Sequence, residues 1–162
     1  MKKKILILCG LLVFVDQLIK LIIINNMYLY ESISVIPKLL NFTFVQNDGG
    51  AFSILSGGRW FFIIAGIIGL IAITKFVLLD RSVSKFDMTC YVLVISGIIG
   101  NLIDRIFYGS VIDYIDFRIF GYDAPIFNFA DICIVIGALM LIFILVIKGD
   151  SDESIYSRKR IK

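Results

Sequence analysis

The sequence predicts an all-α membrane protein, a four-transmembrane-helix bundle carrying a small extracytoplasmic β-sheet and a short extracytoplasmic helix. Three observations carry this expectation. The chain is 59% hydrophobic and only 18% charged, against roughly 25% charged in soluble domains, and its mean hydropathy is +0.96. Four apolar runs, at about 5–24, 60–79, 88–107 and 129–147, are each long enough to cross a hydrocarbon core of ~30 Å as a helix. Two of the segments between them are rich in aromatic and β-branched residues, unlike plain linkers.

The first run follows Lys2-Lys3-Lys4 and resembles the start of a secretory signal. No small-x-small cleavage site follows, and the apolar character resumes beyond Asp16-Gln17, so an uncleaved first helix is expected. The short connection 80–87 makes helices two and three antiparallel neighbours. After the fourth run, the polar, basic tail 148–162 is expected to fray near anionic headgroups. Residues 1–162 thus read as one integral membrane domain.

Orientation follows from the basic residues. One side collects Lys2, Lys3, Lys4, Arg81, Lys85, Lys148 and the tail's Arg158, Lys159, Arg160 and Lys162, whereas the other has Lys38 and Arg118, with Arg59 at a border. Both termini are therefore expected in the cytoplasm, and loops 25–58 and 108–128 outside it. In the first loop, Asn41-Phe42-Thr43-Phe44-Val45 reads as a strand ending at the turn-forming Asn47-Asp48-Gly49-Gly50, part of a sheet on the outer membrane surface. In the second, a short amphipathic helix is expected near 110–119.

Composition excludes several functions. The formal charge of +3 is too small and too dispersed for nucleic-acid binding. Cys9, Cys90 and Cys133 lie apart inside apolar runs and the chain has no histidine, so no metal or disulfide framework is expected. The lack of histidine also removes Ser-His, Cys-His and HExxH chemistry. Carboxylates remain as the groups able to activate water.

Ionisable residues inside membrane spans are costly and mark candidate sites. Asp16 and Lys20 stand at i and i+4 in the first run, the order that favours an ion pair. Gly97, Gly100, Asn101, Asp104 and Arg105 gather at the outer end of the third, suited either to interhelical packing or to binding a carbonyl or anion. Asp131 opens the fourth run, and Asp113 lies in the loop before it. On spacing alone, they read as a helix-start carboxylate and a solvated loop charge. Brought together at a low-dielectric boundary, they would share one proton, as aspartic-protease chemistry requires. A proton relay through Asp16, Asp104 and Asp131, or an adaptor binding a partner through its outer sheet, are the competing readings.

Five blocks then carry a resemblance: Asp16-Gln17-Leu18-Ile19-Lys20, Asn47-Asp48-Gly49-Gly50-Ala51-Phe52, Gly100-Asn101-Leu102-Ile103-Asp104-Arg105, Val111-Ile112-Asp113-Tyr114-Ile115 and Phe127-Asn128-Phe129-Ala130-Asp131. In content and order, they resemble the lipoprotein signal peptidase (signal peptidase II) family. The resemblance implies a bacterial inner-membrane aspartic endopeptidase that cleaves diacylglyceryl-modified prolipoproteins before the lipidated cysteine. It places the catalytic pair on Asp113 and Asp131, site-lining roles on Asn47, Asn101, Arg105 and Asn128, and scaffold roles on Asp16, Lys20, Gly49, Gly100 and Asp104. It implies the lipidated precursor as substrate; no cofactor or metal, a monomer, membrane lipids as partners and an extracytoplasmic active site are expected beside it. Gly50 departs from the family's frequent alanine, and Asp116 lies near the motif without occupying its acidic position.

Overall fold

A computed structural model describes residues 2–50, 54–79, 84–119 and 122–159. Four helices long and apolar enough to cross a membrane dominate it: α1 (Lys2–Asn26), α2 (Arg59–Leu79), α3 (Lys85–Phe107) and α4 (Phe129–Lys159). α3 is the central helix, packing against α1, α2 and α4. Half of its most apolar stretch is buried, compared with 17%, 6% and 17% for the corresponding stretches of α1, α2 and α4. The outward faces of those three helices carry exposed Leu6, Phe14, Ile64, Ile68, Leu139 and Phe143, a surface suited to lipid chains rather than water.

Close approach to α3 is set by a missing side chain. A Cβ on Gly100 would lie 2.5 Å from Asp16 Oδ2 and 3.2 Å from the Ala130 Cβ, so glycine there lets α1 and α4 meet α3 at one level. Ser84 caps α3 in a reciprocal capping box with Asp87. The rest of the α2–α3 connection, residues 80–83, lies outside the described residues. α4 continues as helical backbone to Lys159, past the apolar run and into the segment expected to fray; residues 160–162 lie outside the description.

At the end of the bundle where α1 and α3 finish and α2 and α4 begin, four antiparallel strands pair in the order β1-β2-β3-β4. They are β1 (Ser32–Ile36), β2 (Leu40–Asn47), β3 (Val111–Ile119) and β4 (Tyr122–Asp123). β3 corrects the amphipathic helix expected near 110–119. Its Asp113 and Asp116 sit at a helical i,i+3 interval, but Val111, Ile112, Tyr114, Ile115 and Phe117 favour extended backbone. Pairing with β2, from Leu40 opposite Phe117 to Asn47 opposite Val111, decides the outcome.

An irregularity between Phe42 and Val45 interrupts that ladder. Phe44, within it, is 5% exposed and packs with Ile23, Met27, Ile112 and Tyr114. The bulge therefore seats the sheet on the end of α1. Beyond β4 the chain returns along β3, where Phe127 and Ile115 exchange backbone hydrogen bonds of 2.7 and 3.1 Å. That return brings Asn128 and the start of α4 beside Asp113.

Candidate active site

Two groups of buried or half-buried acids lie within the same few helical turns. The first joins α1 to α3. Lys20 Nζ is 2.9 Å from Asp16 Oδ2 and 2.7 Å from Asp104 Oδ2, and none of the three residues is more than 1% exposed. Gln17 Nε2 donates to Asp16 Oδ2, Asp104 Oδ1 and the Gly100 carbonyl at 3.0–3.2 Å. Two backbone N–H groups complete the cluster, Ala130 donating to Asp16 Oδ1 and Ile112 to Asp104 Oδ2, the oxygen that also faces Lys20. Every charge in the cluster has partners, as burial requires. One ammonium thus ties α1, α3, β3 and α4 together.

The second group contains Asp113 and Asp131. Asp131 occupies the first turn of α4, where Asn128 N–H donates to its Oδ2 and its own N–H donates to Asn128 Oδ1, a reciprocal cap on the helix start. Asn101 Nδ2 donates to Asp131 Oδ1 at 2.7 Å. Asp113, on β3, accepts from Asn128 Nδ2 at 2.7 Å and from Asn47 Nδ2 at 2.9 Å. Asn47 is itself held by a turn, its Oδ1 accepting from Gly49 N–H. Asn128, 0% exposed, is thereby bonded to both aspartates.

Both aspartates line one cavity of about 650 Å³, together with Asn47, Asn101, Arg105 and Gly49. Its wall continues through Pro125, Ile126 and Phe127 and down α4 along Ile132, Val135 and Ile136, giving a polar head and an apolar slot. Arg105 Nη2 donates to the Gly49 carbonyl at 2.9 Å, and the guanidinium lies 4.8 Å above the Phe62 ring. The buried Arg105 Nε has no hydrogen-bond partner among the described residues. A Cβ on Gly50 would come within 3.0 Å of that same ring, which is where the departure from the family's alanine falls. Burial, and then the charge of Asp131, push the Asp113 carboxyl up from 3.8 to about 7, against hydrogen bonds from Asn47 and Asn128 and the attraction of Lys20. Asp113 therefore titrates near neutrality.

The family model for signal peptidase (SPase) II matches residues 8–147. The chain belongs to the signal peptidase II family. It is 43% identical over 150 residues to the lipoprotein signal peptidases of Staphylococcus aureus strains JH9 and Newman, covering 93% of this chain and 90% of each relative. Two solved structures, both described as bacterial membrane enzymes, superpose with TM-scores of 0.86 and 0.80 at 40% and 41% identity. They cover 92% and 88% of this chain, and 91% and 92% of their own. The protein is accordingly a multi-pass bacterial membrane peptidase.

Within this family framework, Asn47, Asn101, Arg105, Asp113, Asn128 and Asp131 gather at one site, and Asp16, Lys20 and Asp104 form a separate cluster behind it. Asp116 points elsewhere, accepting from Thr43 Oγ1 at 2.7 Å and Asn41 Nδ2 at 3.3 Å. Phe52, named with the turn motif, lies outside the described residues. Sequence reasoning gave no role to Gln17 or Tyr114. Yet Gln17 holds both carboxylates of the cluster, and Tyr114 Oη accepts the Phe129 N–H at the start of α4. Burial pushes the Tyr114 phenol up, so it stays neutral. Gln17's position inside an apolar run beside Asp16 was an available signal; nothing in the sequence pointed to the Tyr114 bond.

Proposed function

We propose that the chain is an aspartic endopeptidase that removes the signal peptide from diacylglyceryl-modified prolipoproteins, cleaving before the lipidated cysteine. Asp113 and Asp131 are its catalytic residues. The observation carrying this reading is that two acids from separate elements, β3 and α4, line one cavity and are bridged by one fully buried residue, Asn128, whose side-chain Nδ2 donates to Asp113 and whose backbone N–H donates to Asp131. Neither forms an ion pair among the described residues, so nothing else discharges them.

The pair shares one proton. The ionised carboxylate takes a proton from water as its oxygen attacks the scissile carbonyl, and the protonated partner donates to the carbonyl oxygen, giving a neutral tetrahedral diol. Collapse breaks the C–N bond. The first carboxyl gives its proton to the leaving amine, while the diol's hydroxyl returns one to the second, restoring the starting state.

The cavity's two halves suit such a substrate. Its apolar slot along Ile132, Val135 and Ile136 fits a signal helix or acyl chain, while Asn47, Arg105 and the Gly49 turn face the peptide and headgroup at the polar end. The basic residues of the termini favour a cytoplasmic location for both ends, which puts the sheet and the site on the extracytoplasmic side. We further propose that residues 1–162 act as one domain and as a monomer, with membrane lipids as surroundings. The test is cleavage of a lipidated precursor by purified Asp113→Asn and Asp131→Asn variants. Both are expected to fold and to lose cleavage by about a thousandfold or more; near-native turnover by either folded variant would remove that residue from the pair.

A further inference from the structure

The catalytic reading leaves open what fixes the two asparagine amides facing the aspartates. An amide offers a donor on one side and an acceptor on the other, so each must be held one way round to present its donor to a carboxylate. Asn128 is held by the backbone: Asp131 N–H donates to its Oδ1 at 3.0 Å. Its Nδ2 is thereby turned toward Asp113 Oδ1 and Asn101 Oδ1. Asn101 is held differently. Its Oδ1 accepts from Asn128 Nδ2 at 3.2 Å and from its charged partner, Lys20 Nζ, at 3.1 Å, and an ammonium has three donors and no acceptor. Lys20 therefore requires the oxygen on its own side, which leaves Nδ2 to bond Asp131 Oδ1 at 2.7 Å.

We propose that Lys20 is a positioning residue for catalysis: through Asn101, it imposes the amide orientation that makes Asp131 the ionised member of the pair and leaves the shared proton on Asp113. The proposal rests on the aspartic-dyad reading. The groups around the two acids agree with it. Lys20 on α1 and Arg105 on α3 are positive neighbours of both acids, but Asp131 alone adds the N-terminus of α4 and the amide donor that Lys20 orients. Among the described residues, the Asp113 carboxylate on β3 is bonded to the neutral amides of Asn47 and Asn128. Asp16 and Asp104 keep Lys20 in place and complete the set of charged groups facing it. The ion cluster thus sets the polarity of the catalytic pair as well as holding helices together.

The Lys20→Met/Asp16→Asn double variant tests this, because it removes one charge of each sign and leaves the cluster's net charge as it was. Prolipoprotein cleavage is measured across pH beside the native enzyme, with folding checked by thermal melting in detergent. A merely structural role predicts that a folded double variant keeps native kcat and pH profile, and that result overturns the proposal. The expected result is a fall in kcat of roughly tenfold or more, the scale of one hydrogen bond to a charged group, with KM little changed and the acid limb moved to higher pH. If the double variant does not fold, solid-state NMR of the native enzyme in bilayers decides between the two amide orientations. Contact of Asn101 Nδ2 with the Asp131 carboxyl supports the proposal, and contact with Lys20 Nζ overturns it. Loss of activity in Asp113→Asn and Asp131→Asn alongside a native-like double variant would reject this inference while leaving the dyad intact.

Discussion

Two pairs of acids a few turns apart, one fully buried and the other with Asp113 buried and Asp131 half-buried, behave as opposites. Asp16 and Asp104 enclose Lys20, and Gln17 and two backbone N–H groups complete the hydrogen bonds to their carboxylates. Asp113 and Asp131 are surrounded by amides, have no cation in direct contact among the described residues, and open on the cavity. A counter-ion and a closed wall make an acid pair into scaffold; an amide shell and an open wall leave a proton available for chemistry. Asp16, Asp104 and Asp113 are all 2% exposed or less, so burial alone does not separate the two roles.

The sharpest way to break this comparison is to neutralise one acid of each pair and read activity and stability separately. Asp113→Asn and Asp131→Asn are expected to lose cleavage by about a thousandfold or more while melting near the native temperature. Lys20→Met alone is expected to cost stability most, on top of its smaller loss of kcat, because it strands Asp16 and Asp104 without a cation. A broken buried pair costs about 3–5 kcal/mol, measurable as a large fall in melting temperature in detergent. Were Lys20→Met to melt like the native protein, the cluster would not be scaffold.

A smaller effect is expected at Gly100. An alanine Cβ would press on Asp16 Oδ2 at 2.5 Å and on Ala130 at 3.2 Å, so Gly100→Ala is expected to destabilise by about 1–3 kcal/mol, as overpacking does. The carboxylate cannot retreat without losing Lys20 or the Ala130 N–H. Unchanged melting of this variant would mean that α1 and α3 separate more easily than their hydrogen bonds imply.

The contrast was only partly readable in the chain. Four helices followed from apolar runs whose lengths match a bilayer, and Asp16 and Lys20 declared an ion pair by their four-residue spacing. Asp104, the second acid on that lysine, did not, because its contact depends on how α1 and α3 pack. Spacing gave Asp113 and Asp131 nothing better than a loop charge and a helix-start carboxylate; the motif blocks around them pointed to a pair. β3 was misread because Asp113 and Asp116 mimic a helical stripe, and only the distant pairing with β2 resolves an ambiguity of that kind. Tyr114's bond to a backbone N–H leaves no trace in residue order.

A pH series measures the open pair most directly. Asp113 is held near 7 when folded, against 3.8 when free of the fold, so between those values the folded protein binds a proton that the unfolded chain does not. This linkage stabilises the fold most below about pH 4 and is lost as pH rises through about 7. Relative to Asp113→Asn, the native protein's melting temperature should therefore decline from pH 5 to pH 8. Asp131→Asn, which removes the neighbouring charge that contributes to the shift, should shallow that decline. A native protein whose melting temperature runs parallel to that of Asp113→Asn over this range would mean that Asp113 ionises as an ordinary carboxylate. The two acid pairs would then differ in geometry but not in the proton they hold.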